Sequence, residues 1–334
     1  MQTGRGKRAV RVMLLIASLI LWPLSAGVIA QEASPTPAVD LSRLGGGISS
    51  DGSSTVWPIT DEAALRFLDE AENVRITVGF SGTGGGFRKF CAGETDIQNA
   101  SRSIEPDEMD ACRENNVEYF VFEVAYDGIT VVTNPENEFA SCLTVEQLKL
   151  LWQPENPAKT WSDLDLAWPD ETIELYGPGP DSGTFDYFTS AVIGEEGASR
   201  TDYFPSENDL DLVEGVALDR DGLGYFGFAY FEEAGDRLKS IAIDSGSGCV
   251  TPTAETIADG SYTPLSRPLF VYVRASSLAR PEVTAFMRFY LANAKSIAAD
   301  VGYIPSPDGI YREDRARLEA AISGQLTPDG PGQP

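Results

Sequence analysis

Three short runs of hydroxyl and glycine residues each stand immediately before an apolar-periodic segment. Residues 51–55 (DGSST) lead into a segment starting near Pro58, residues 81–86 (SGTGGG) lead into Phe87, and residues 181–184 (DSGT) lead into Phe185. The start of a helix carries backbone N–H groups with no intrahelical partner and the positive end of the helix dipole. Ser and Thr add hydroxyl donors, and Gly lets the backbone come close to a ligand. One such start is an ordinary cap, as Ser182 alone would be. Three together predict a shared cradle for an anion. A fourth segment, residues 96–102 (DIQNASR), reads as a short strand ending in a polar corner, where Arg102 would supply a guanidinium fork suited to a tetrahedral oxyanion. The competing role for Arg102 is a surface pair with Glu105 or Asp107.

Other chemistries are excluded by what is missing. The 334 residues include no His, so there is no Ser-His-Asp triad, no His-assisted thiol and no His-based metal site. The SGTGGG run lacks the Lys of a nucleotide-binding P-loop, and counting G-x-G-x-x-G from Gly82 ends on Phe87. An enzyme built on this chain would have to work with carboxylates, Lys or Tyr alone. No cofactor and no metal are expected.

The elements that must position these runs alternate in type. Residues 60–70 carry Ala63, Ala64, Phe67 and Leu68 on one helical face, and Val74, Ile76, Val78 and Phe80 alternate as in a half-buried strand. Residues 117–132 read as two strands around Asp127-Gly128. Thr144 and Gln147 are spaced as a capping box for a helix over residues 144–152. Strands are predicted at 173–176, 224–230 and 269–273, and helices at 185–192, 210–218 and from Pro281 to about Ala294. Such alternation predicts an α/β fold with sheets covered by helices on both faces.

The chain opens with Arg5, Lys7, Arg8 and Arg11, followed by the apolar residues 12–30. The small-residue ending at Ala30 predicts a cleaved signal peptide over residues 1–30 in preference to a retained anchor, and no lipoprotein Cys is present. Residues 31–44 would then be a flexible linker and residues 326–334 a disordered tail. The net charge of −26 becomes −30 without the four leader cations, which repels nucleic acid and anionic lipid. Any anion site must therefore act through short-range donors. Four Cys in an exported chain allow three pairings; closeness in sequence pairs Cys91 with Cys112, leaving Cys142 with Cys249.

The order of GSSTVWPI, SGTGGGF, ETDIQNASR, AYDGITVVTNP, DSGTFDYF, LGYFGFAYF and LSRPLFVYV closely resembles the PstS family of phosphate-binding proteins, over residues 45–302. The resemblance implies a two-lobed, type II periplasmic-binding-protein fold with a two-strand hinge. One lobe would hold residues 45–127 and 268–325, and the other residues 128–267. It further implies a monomeric receptor for inorganic phosphate that delivers its ligand to the membrane permease of an ABC importer, with no nucleic-acid partner. The family's binding groups fall on Ser54 and Thr55, with Ser53 beside them, on Ser81 and Thr83, and on Ser182, Gly183 and Thr184. Arg102 matches one branch of the family. Other branches place an Arg just before the third run, where this chain has Gly177-Pro178-Gly179-Pro180.

Phosphate near neutral pH keeps a proton and sulfate does not, so a carboxylate facing the ligand favours phosphate. Asp181 is the first candidate for that acceptor, then Asp51, then Asp96. The alternatives are a receptor for sulfate, molybdate or tungstate, a phosphate sensor or scavenger, and an extracytoplasmic phosphatase. The last would need a nucleophile with a base or a metal cluster.

Overall fold

The computed structural model describes residues 40–180 and 182–329. The signal peptide, most of the linker, Asp181 and the last five residues lie outside them. In chain order the elements are β1 (Gly46–Gly52), α1 (Trp57–Leu68), β2 (Val74–Val78), α2 (Thr83–Cys91), β3 (Ile97–Ala100), α3 (Pro106–Glu114) and β4 (Tyr119–Thr133). Then follow β5 (Cys142–Thr144), α4 (Val145–Trp152), α5 (Trp161–Leu164), β6 (Glu174–Pro178), α6 (Gly183–Phe188), β7 (Phe204–Ser206), α7 (Asp209–Leu218), β8 (Gly222–Gly227) and α8 (Phe228–Ala234). The remainder are β9 (Lys239–Ser240), β10 (Ala242–Asp244), β11 (Cys249–Val250), α9 (Ala254–Ala258), β12 (Ser266–Arg274), α10 (Pro281–Asp300) and α11 (Asp308–Ile322).

One mixed sheet runs β2-β1-β3-β12-β4-β8-β6-β7, with β9 added to β4, and a small sheet runs β11-β10-β5. Side-chain alternation along the long strands gives each face its own core. On β12, Leu269, Val271 and Val273 join α1, α10 and α11 on one face. Phe270 and Tyr272 join Phe87, Phe90 and the first disulfide on the other. Further along the sheet, Ile129, Val131, Leu223 and Tyr225 pack against Trp152 and Phe188. Val132 and Phe226 pack against α7 on the reverse face. The expected covering of the sheet on both faces is therefore found in both regions, with Phe67 of α1 meeting Phe286 and Phe289 of α10 edge-on at 5.4 and 5.5 Å.

Two expectations are corrected. Residues 119–133 form one strand instead of two, because Asp127-Gly128 pairs outward in place of turning. Asp127 lies opposite Arg267, and Gly128 opposite Ser266. A Cβ on Gly128 would sit 2.5 Å from Cδ1 of Ile257, so the bare backbone is where α9 packs. The strand expected over residues 224–230 stops at Gly227, because Phe228 and Phe231 recur at helical spacing and pack as α8. The capping box is present: Gln147 N donates to Thr144 Oγ1 at 3.1 Å and Thr144 N donates to Gln147 Oε1 at 2.8 Å.

Both disulfides pair as expected. Cys91–Cys112 clips α2 to α3, and Cys142–Cys249 ties β5 to β11 across β10. The ends of the chain depart from expectation where they are described. Leu41 and Leu44, inside the expected linker, pack against the first core. In the expected tail, Leu326 packs there too and Asp329 accepts from Val121 N at 3.0 Å. Among the described residues no helix is long and apolar enough to cross a membrane.

Candidate functional site

Parallel pairing of β1 with β2 and β3 brings their C-terminal ends, and hence two of the hydroxyl-rich runs and the corner after β3, to one edge. Ser53 N donates to Asn99 O at 2.9 Å, and Trp57 N donates to Ser53 O at 3.0 Å, so residues 53–55 turn straight from β1 into α1. The second run needs Gly82 in the left-handed region (φ +75°) just before Thr83 opens α2. Thr83 Oγ1 accepts from Ser101 N at 3.3 Å and lies 3.1 Å from Ser101 Oγ, which joins the second run to the corner after β3.

The third run arrives from α6. Ser182 Oγ accepts from Thr184 N at 3.2 Å as a conventional cap. Gly183 is pressed against the first run: a Cβ there would lie 2.9 Å from both Ser54 Oγ and Thr55 Oγ1. The three runs thus border one cleft of about 790 Å³, lined by Ser53, Ser54, Thr55, residues 81–85 and Gly183, with Ser101 and Arg102 on the same wall. Ser182 is not among the lining residues, and Thr184 borders a separate cavity of about 210 Å³ beside Asp127 and Asp209.

A family model of the PBP superfamily domain matches residues 30–294. Protein SphX of Synechocystis sp. is 49% identical over 273 residues, which cover 81% of this chain and 81% of the relative. Phosphate-binding protein PstS of Staphylococcus haemolyticus is 36% identical over 308 residues, covering 91% of this chain and 93% of that one. A solved structure, a possible phosphate binding protein from Planctomyces limnophilus, superposes with a TM-score of 0.79 at 45% identity, covering 83% of this chain and 99% of that one. This chain belongs to the PstS family.

Within this PstS-family cleft the charged side chains are arranged in ways the sequence only partly disclosed. Arg102 lines the wall, but its fork already grips Glu108 with two bonds of 2.8 Å, and Nε lies 3.3 Å from Glu105. The Glu105 pairing weighed from sequence is real, and Glu108 takes the place considered for Asp107. The Glu108 bonds hold the guanidinium above its ordinary range, against burial.

Two proposed carboxylates leave the cleft. Asp51 sits beneath the first two runs, where its Oδ1 accepts from Gly52 N (2.7 Å), Ser81 N (3.0 Å) and Ser81 Oγ (2.6 Å), and its Oδ2 from Lys89 (2.5 Å). Burial alone would raise its pKa, yet the bonds from Lys89, Ser81 and Gly52 outweigh it and hold the carboxyl low. Asp51 is the brace that sets one loop against the other. Asp96 lies at the far end of β3, accepting from Ser277, Arg274, Arg280 and Ser49, with every bond turned away from the cleft. Asp181, the first candidate, lies outside the described residues.

Four charged cleft groups were missed: Arg88 of α2, Asp186, one turn into α6, Glu196, and Arg267 of β12 all line the cavity. Burial pushes the Asp186 carboxyl up, Glu196 adds to this, and Arg267 opposes it. The available signal for Arg267 was an arginine inside an otherwise apolar strand, which requires a buried partner. For Asp186 it was the one-turn spacing from Ser182, which returns a side chain to the face that starts the helix.

Proposed function

We propose that this chain is an exported receptor that binds inorganic phosphate in the cleft between its two regions and hands it to the permease of an ABC importer. The observation that carries this reading is the convergence of three hydroxyl- and glycine-rich helix starts on one cavity. A dehydrated oxyanion needs a donor for each lone pair it turns from water. The hydroxyls of Ser54, Thr55 and Thr83, the N–H groups of residues 82–85 and Gly183, and the one Nη2 hydrogen that Arg102 does not give to Glu108 supply them without a large positive field. Each charge-assisted bond contributes about 1.5–3 kcal/mol.

Residues 45–127 with 268–325, and residues 128–267, act as two lobes that close on the ligand about β4 and β12. The separate apolar cores of these stretches support that division. Asp186, which lines the cavity, is the carboxylate that accepts a hydrogen bond from the proton phosphate keeps. Sulfate, with no proton to give, would face it lone pair to lone pair. The relatives' names, which specify phosphate binding, agree with this choice of ligand.

Calorimetric titration of ligand-stripped protein with phosphate, sulfate and molybdate tests the proposal. Tight one-to-one binding of phosphate with sulfate rejected is expected. Binding of sulfate or molybdate with phosphate excluded would overturn the ligand assignment, and no binding of any oxyanion would overturn the receptor reading.

A further inference from the structure

Three guanidiniums line the cleft, those of Arg88, Arg102 and Arg267, and the buried one, Arg267, is incompletely bonded. Arg267 is mostly buried, with 16% of its side chain exposed, and lies opposite Asp127 where β12 pairs with β4. Its Nε and Nη2 donate to Asp127 Oδ2 at 3.2 and 3.1 Å, and Nη2 also donates to Thr55 Oγ1 at 2.9 Å. Its plane rests on the ring of Tyr187 at 3.6 Å from the centroid, and that ring is fixed by a 2.7 Å bond from its hydroxyl to Pro264 O. One nitrogen, Nη1, has no partner among the described residues.

A free terminal nitrogen on so buried a guanidinium sets Arg267 apart from Arg88, which lines the same cleft but is exposed. Arg102 uses all three nitrogens on Glu105, Glu108 and Ser103 O. Arg200 uses all three on Asp202, Leu151 O and Ala158 O. Arg274 and Arg280, around Asp96, are equally complete. A partly buried guanidinium held on one edge and one face, with a terminal N–H left over beside a cavity, is poised for an acceptor that arrives from solution.

Resting on the phosphate-receptor reading, we infer that Arg267 is a second guanidinium ligand of the bound oxyanion, oriented for it by Asp127 and Tyr187. The same side chain touches the first run through Thr55, the crossing strand through Asp127, and α6 through Tyr187. An oxyanion bonded to Nη1 is thereby fastened to both regions of the molecule at the point where the chain crosses between them. Lys at this position would keep the charge but lose the fork, since one ammonium cannot reach Asp127, Thr55 and the ligand in the same planar geometry.

The test is phosphate titration of wild type, Arg267→Gln and Arg267→Lys by calorimetry, with the melting point of each ligand-free protein measured alongside. Loss of one charge-assisted bond predicts a Kd raised roughly 10- to 100-fold in the Gln variant and by a smaller factor in the Lys variant. Melting points that fall while Kd stays within twofold of wild type would assign Arg267 a purely structural role and overturn the inference. If the Gln variant does not fold, the Lys variant decides in the same way. Wild type that binds no oxyanion would instead overturn the receptor reading itself, and the inference with it.

Discussion

At one end of β3, Asp96 is surrounded by Arg274, Arg280, Ser49 and Ser277; at the other, Ser101 and Arg102 open onto the cleft with Thr83 beside them. Both ends are assembled from the same kinds of group, carboxylates, guanidiniums and hydroxyls. At Asp96 every charge has its counterpart inside the protein, so the cluster is closed and holds β1, β3 and the start of α10 in register. At the cleft end donors outnumber internal acceptors, and the surplus is turned toward a cavity. A binding site differs from a structural cluster here by what is left unpaired.

The largest expected effect comes from breaking the closed end. Asp96→Asn leaves two guanidiniums with a neutral partner and should cost about 2–4 kcal/mol in denaturant unfolding, below the full cost for a buried pair because both arginines keep solvent contact. Phosphate affinity should stay within twofold. A marked loss of affinity with intact stability would put Asp96 back among the ligand groups.

Gly183→Ala should do the reverse. The added methyl would meet Ser54 Oγ and Thr55 Oγ1 at 2.9 Å, an overlap that costs about 1–3 kcal/mol where the third run meets the first. Calorimetry should show roughly a tenfold or greater loss of phosphate affinity, with little change in the unfolding of the ligand-free protein, whose lobes relieve the overlap by moving apart. Unchanged affinity would mean that this approach plays no part in binding.

Asp314 sharpens the comparison from a third side, as a buried carboxylate with no salt bridge among the described residues. Burial pushes its pKa up to about 6, only partly offset by the bond from Glu123 N at 2.8 Å. With the folded pKa above the unfolded one, its contribution to stability is full below the ordinary carboxylate value and is lost as pH rises through about 6. Asp314→Asn should therefore stabilise by about 1–3 kcal/mol at pH 8, an advantage that fades toward pH 4. Asp96, whose pKa is lowered by bonds from Ser49 and Ser277 and by its arginines despite burial, has the opposite sign: its contribution is present above the ordinary value and lost on acidification. Parallel pH–stability curves for wild type and the Asp314 variant would refute the assignment.

The three runs were legible because their logic is local: a small polar run directly before an apolar helical stripe needs only a dozen residues to be seen. The broad α/β alternation was legible for the same reason. Asp96 was misplaced because it is only six positions from Arg102, yet the strand over residues 97–100 carries Asp96 and Ser101 roughly 16 Å apart. Arg267 was missed because its role depends on Asp127, 140 residues away, and on the register that sets them opposite each other. The same long-range pairing defeated the turn reading of Asp127-Gly128, where local preference for a bend yields to pairing with β12.

The smallest effect is expected at the rim. Glu105→Gln removes the longer, exposed contact to Arg102 while Glu108 keeps its two bonds, so the Kd for phosphate should move by less than about threefold.

A crystal structure of the protein with phosphate bound tests the central claim most directly. One tetrahedral anion is expected between residues 53–55, residues 81–85 and Gly183, within hydrogen-bond distance of Arg267 Nη1, with the Asp96 cluster unchanged. An anion seated away from these runs, or held by Arg274 and Arg280 in place of Asp96, would contradict it.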